Sequence, residues 1–137
     1  MPHADVNFSF PEERRLKSSL RIREIVSGRA AVSKHPVKCF YKIGGRGTDT
    51  EMRVAMLVSK RKFRRAVDRN RVKRLLREAF RLNCNTLSVP DNLRIDMCWM
   101  FTGHDLPDHS SVMLSGKSIF DTLQTILNNH GTDKKNC

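Results

Sequence analysis

The chain has 137 residues, a formal net charge of +12 and a pI near 10.2. That length fits one domain able to bury a core, and that charge points to a polyanionic partner, either nucleic acid or an anionic membrane surface. No apolar run approaches the roughly 18 residues of a membrane span, and the N-terminus does not read as a signal peptide, so no membrane is expected and the setting is read as cytoplasmic. Cys39, Cys84, Cys98 and Cys137 show no Cys-x-x-Cys pairing and no His at zinc-ligand spacing, so no protein-bound metal is expected.

In chain order, residues 1–13 are broken by Pro2 and Pro11 and read as a poorly ordered arm. One domain should follow over residues 14–129. Arg14–Ser27 reads as a helix with Leu16, Leu20, Ile22, Ile25 and Val26 as an imperfect apolar stripe and Gly28 as its C-cap. Residues 29–36 are ambiguous, with Ala30, Ala31 and Val32 suited to a short edge strand. Val37–Ile43 alternates: Val37, Cys39, Tyr41 and Ile43 face one way, and Lys38, Phe40 and Lys42 the other. Gly44–Glu51 is a polar loop whose Arg46 could touch a phosphate. Met52–Ser59 is almost wholly apolar and should be a central strand buried on both faces.

Residues 59–82, SKRKFRRAVDRNRVKRLLREAFRL, concentrate eleven cations against Asp68 and Glu78 alone. Val72, Leu75, Leu76, Ala79 and Phe80 form one helical stripe. Arg69, Lys73, Arg77 and Arg81 recur beside it, and Arg71 and Arg74 widen the arc. One face should pack and hold the other as an ordered array of cations. Mutual repulsion makes a merely solvated helix a poor reading. The helix should run to about Asn83, with Asp68 or Asn70 as a possible cap.

Asn83–Asn92 is a connector. Leu93–Thr102 is the last strand, with Ile95, Met97, Trp99 and Phe101 on one face. After a loop at Gly103–Ser111, the final helix should span Gly116–Asn129, capped by Ser115 or, a turn earlier, by Ser110 or Ser111. Its stripe is Ile119, Phe120, Leu123, Ile126 and Leu127. Residues 130–137 should fray.

No catalytic constellation stands out. His104, Asp105, Asp108 and His109 are close in sequence but sit in a polar, Pro-containing loop. No P-loop or nucleophile elbow is present. Lys38, Phe40 and Lys42 form one strand face. That pattern suits either a stacking platform for bases or a half-exposed strand with snorkelling lysines.

The stretch Val58–Arg81 strongly resembles the protein component of bacterial ribonuclease P. The matching residues are Val58-Ser59-Lys60-Arg61, Ala66-Val67-Asp68-Arg69-Asn70-Arg71-Val72-Lys73-Arg74 and Arg77-Glu78-Ala79-Phe80-Arg81. A weaker match lies at Arg15-Leu16-Lys17 and Gly28, and the likeness spans about Arg15 to Leu127. The loop Lys62–Arg65 is one residue longer than in many relatives, which carry Gly-Asn there.

The resemblance implies an α+β fold: an α/β sandwich in two layers, in the order α-β-β-β-α-β-α. It also implies one mixed sheet, with a left-handed crossover through the basic helix. It implies a ribonucleoprotein whose RNA subunit, using Mg²⁺, removes the 5′ leader from precursor tRNA, while the protein assists and needs no protein partner. Lys60, Arg61, Arg69, Asn70, Arg71, Lys73, Arg74 and Arg77 are the implied contacts to the catalytic RNA. Phe40, with Lys38 and Lys42, is the implied leader platform. Ile22 and Val26 stand where many relatives place Phe on the first helix. The competing classes are a ribosomal or RNA-chaperone protein and a DNA-binding regulator. The latter fits poorly, because a strand rather than a second helix precedes Arg69.

Overall fold

The computed structural model describes residues 14–45 and 50–136, with side chains as far as Asn129. The expected arm at 1–13 and Arg46 lie outside the described residues. The elements are α1 (Ser19–Ser27), β1 (Ala31–Lys34), β2 (Val37–Gly45), β3 (Met52–Leu57), α2 (Ala66–Asn83), β4 (Leu93–Phe101) and α3 (His109–Asn136), with a short 3₁₀ turn at Cys84–Thr86 after α2. The strands form one mixed sheet in the order β1-β2-β4-β3. β1 and β2, and β2 and β4, are antiparallel; β3 and β4 are parallel, joined through α2. The expected order of elements is observed.

The period-2 pattern of β2 sorts its side chains as expected. Val37 and Cys39, with Tyr41 and Ile43, join the main core, which also holds Ile95, Met97, Trp99 and Phe101 of β4. α2 and α3 cover this face. Val72, Leu76, Ala79 and Phe80 are buried from α2, and Ile119, Phe120, Leu123 and Leu127 from α3. Phe80, Trp99 and Phe120 meet with ring centroids 5.5 to 5.7 Å apart, joining both helices to the sheet. Among the described residues, α1 is the helix on the opposite face, over a smaller cluster of Leu16, Ile25 and Cys98, against which Ile22, Val26, Phe40, Ala55 and Leu57 pack.

Four expectations need correction. The first helix begins at Ser19, not Arg14: the Ser18 hydroxyl accepts the Arg21 N–H at 3.2 Å and caps it. Arg15 instead bridges to Val54, and the Leu16 N–H donates to the Val54 carbonyl at 3.0 Å, so the segment before α1 lies along β3. Leu20 is 72% exposed and belongs to no apolar stripe.

β3 is an edge strand, and the strand buried on both faces is β4. Arg94 and Asp96 gave β4 the look of a one-faced strand, yet Asp96 is buried among cations. Neither Asp68 nor Asn70 caps α2, because the helix starts a turn earlier, at Ala66 after Arg65. Asp68 falls in the first turn, where its charge suits the helix dipole. The last helix starts at His109, and its backbone is helical to Asn136. Gly116 therefore lies inside it, where a Cβ would come within 2.9 Å of the Ala79 Cβ. It lets α2 and α3 approach closely.

Candidate nucleic-acid interface

The sheet has a cationic surface on each side. On α2, the buried stripe fixes the rotation of the helix, so Asn70, Arg71, Arg74 and Arg77 are exposed and Arg69 and Lys73 half-buried. Arg77 has its pKa lowered, first by partial burial and then by the charges of Arg15 and Arg74. Arg15 thus adds to the α2 surface, which sequence spacing did not show. The bridge to Val54 brings it there. Such crowding of like charges favours an anionic occupant.

The loop before α2 is well anchored. The Ser59 hydroxyl accepts the N–H groups of Arg61 and Lys62 at 3.2 and 3.3 Å, and the Phe63 N–H donates to the Ser59 carbonyl at 3.1 Å. Phe63 is buried, its ring centroid 5.7 Å from that of Phe101. Lys62 Nζ donates to the Thr102 carbonyl at 3.1 Å. Arg69 Nη1 donates to the carbonyls of Phe63 and Arg64, both at 2.9 Å. Lys60 and Arg61 remain exposed. Arg69, read from spacing as part of the outward array, therefore braces the loop.

On the other face, Phe40 is half-buried and, like Ile22 and Val26 of α1 and Ala55 and Leu57 of β3, packs against the cluster of Leu16, Ile25 and Cys98. Lys38 Nζ lies 4.9 Å from the Phe40 ring centroid, a cation–π contact, while Lys42 is exposed. Ile22 and Val26 also line a shallow groove along α1 with Ser19, Arg23 and Ser27. The cross-strand partner of Phe40 is Cys98. Burial, with the charge of Asp96, pushes the Cys98 thiol up to about 11, so it stays neutral beneath α1, in the cluster with Ile25.

Two residues along β4 from Cys98, and opposite Lys42, is Asp96, which is fully buried. Arg53 donates to it from Nε and Nη2 at 3.0 and 2.9 Å, and Arg21 from Nε at 3.0 Å; Arg94 Nε lies 3.4 Å away. Burial alone would raise the Asp96 pKa. The hydrogen bonds from Arg53 and Arg21, with the charges of Arg53 and Arg94, together outweigh it and hold the carboxyl below its ordinary range. Sequence reading missed this residue. The available signal was one acid within an otherwise apolar strand, which needs a cationic partner to be buried.

The His/Asp loop divides among local contacts. Asp108 accepts the Ser111 hydroxyl at 2.6 Å, and His109 lies 3.3 Å from Glu78. His104 and Asp105 line a cleft with Ser33–Pro36 and the start of α3. Among the described residues, no three His, Cys, Asp or Glu side chains come together as a metal site, and no helix is long and apolar enough to cross a membrane.

Residues 10–98 match the family model described as Ribonuclease P. The chain belongs to the ribonuclease P protein family. A ribonuclease P protein component from Porphyromonas gingivalis is 32% identical over 108 residues, covering 77% of this chain and 79% of that protein. One from Desulforapulum autotrophicum is 39% identical over 90 residues, covering 65% and 73%. The ribonuclease P fold is seen in the structure of a Staphylococcus aureus RNase P protein mutant with defective mRNA degradation activity. Its TM-score is 0.62 at 17% identity, with 81% of this chain and 88% of that one covered. A second S. aureus RNase P protein structure gives a TM-score of 0.55 at 19% identity, covering 82% and 94%.

Proposed function

We propose that this chain is the protein subunit of a ribonuclease P holoenzyme in which an RNA subunit, with Mg²⁺ at its own active site, removes the 5′ leader from precursor tRNA. The carrying observation is the pairing of two unlike surfaces on opposite faces of one sheet. The α2 face offers exposed guanidinium groups and, among the described residues, no exposed aromatic ring, which suits the phosphates of a folded RNA. Arg71, Arg74, Arg77, Lys73 and Asn70, with Lys60 and Arg61 from the braced loop, are its contacts to the catalytic RNA.

The α1 face offers a half-open ring, aliphatic walls and flanking lysines, which suits a single strand. Phe40 stacks a leader base, Ile22 and Val26 border it, and Lys38 and Lys42 meet neighbouring phosphates. The protein supplies binding and orientation, and the RNA supplies the hydrolysis. Family membership favours this reading over a ribosomal or chaperone role.

The test is the affinity of reconstituted holoenzyme for precursor and mature tRNA. Base–aromatic stacking contributes about 1–3 kcal/mol, so Phe40→Ala should weaken precursor binding roughly tenfold or more while leaving mature tRNA nearly unchanged. An equal loss for both RNAs would remove the leader role.

A further inference from the structure

One step along the sheet from Phe40, the face under α1 becomes charged. Side chains two apart on a strand share a face, and Lys38, Phe40 and Lys42 lie opposite Met100, Cys98 and Asp96 in register. On β3, Ala55 pairs with Cys98 and Arg53 with Asp96. The floor therefore changes one step from the ring, a distance of about 7 Å, from Ala55, Cys98 and Phe40 to Arg53, Asp96 and Lys42. Arg94 enters from β4 and Arg21 from α1.

One buried carboxylate thus gathers guanidinium groups from three elements, α1, β3 and β4. Their side chains keep 16% to 28% of their surface open to solvent, whereas Asp96 keeps none. A buried acid serving only to neutralise one cation needs one partner. This one meets three, one step along the sheet from an aromatic ring.

We infer that Asp96 is a positioning residue for leader binding: it holds Arg21, Arg53 and Arg94 as a preorganised patch for leader phosphates beyond the base stacked on Phe40. The inference rests on the leader reading proposed above. Asp96 itself touches no RNA. Held guanidinium forks need less ordering when phosphate arrives, which is the source of the gain.

The inference and a plain electrostatic view predict opposite signs. Asp96→Asn removes a negative charge beside the leader path. By charge alone, precursor tRNA should then bind more tightly. With Asp96 as the organiser, the arginines splay, and holoenzyme affinity for a long-leader precursor should fall about fivefold or more. Affinity for mature tRNA and for a precursor cut back to one leader nucleotide should stay the same. A folded D96N protein that binds the long-leader precursor as tightly as the parent, or more tightly, overturns the inference. So does one that only melts earlier with its leader-length dependence intact.

Should D96N fail to fold, Arg21→Lys decides. It keeps the charge and loses the fork to Asp96, and it should reduce leader-length dependence in the same direction; an unchanged dependence overturns the inference. Phe40→Ala run in parallel separates the two readings. If F40A loses precursor preference and the Asp96 and Arg21 variants do not, the leader site stands and the positioning role falls. If F40A discriminates nothing, the leader reading fails and the inference falls with it.

Discussion

Arg69 reaches back from α2 to the carbonyl oxygens of Phe63 and Arg64, at 2.9 Å each, and so closes the preceding loop onto its own helix. Its neighbours Asn70 and Arg71 point outward. Residues close together in the family motif thus have different surroundings. Arg69→Ala should lower stability by about 1–2 kcal/mol, because two hydrogen bonds from a charged donor are lost and the part-buried Phe63 carbonyl loses its partner. Arg71→Ala, on the exposed face, should stay within about 0.5 kcal/mol. Denaturant melts of the free protein compare them, and equal midpoints would show that the brace contributes nothing.

Binding of the catalytic RNA should be steeply salt-dependent. If about six phosphates are neutralised, log K should fall against log[salt] with a slope near −5. Replacing Arg71, Arg74 and Arg77 together with Ala should make that slope shallower by roughly two to three. Filter binding across a salt series measures it. An unmoved slope would place the RNA on another surface.

Gly116→Ala should destabilise the protein although Ala is the better helix former. The propensity gain is about 1 kcal/mol. Against it stands the 2.9 Å approach of the new Cβ to the Ala79 Cβ, which no rotamer change can relieve. α2 and α3 would have to move apart, and overpacking of this kind costs about 1–3 kcal/mol. Thermal melts give the sign. A higher Tm would mean that the two helices separate freely.

Acid stability should depend on Asp96. Its folded-state pKa lies below the ordinary 3.8, so folding favours the ionised form. The stabilisation is therefore fully present above that ordinary value and is lost as pH falls through the lower folded-state value. Unfolding free energy should decline below about pH 4 in the parent and decline less in D96N, measured by urea titration at successive pH values. Parallel acid limbs would exclude Asp96 as the group responsible.

The sequence alone determined the helix that carries the cations, and why it is amphipathic. Spacing put Val72, Leu76, Ala79 and Phe80 on one side, and these are the residues buried. Alternation likewise separated Cys39 from Phe40, and the motif within Val58–Arg81 carried the family. These signals are legible because they are local: a helix or strand fixes which side chains share a face whatever packs against it.

What only the tertiary structure decided depends on pairing between distant segments. Periodicity could not tell β3 from β4 as the edge, since edge or centre is a property of neighbours. It could not bring Arg15 to the α2 face or turn Arg69 inward to the Phe63 carbonyl. It could not show that Arg21, Arg53 and Arg94, far apart in the chain, converge on Asp96. A buried charge is tolerated only where such partners meet it, and the chain reveals them only once the sheet has formed and α1 lies across it.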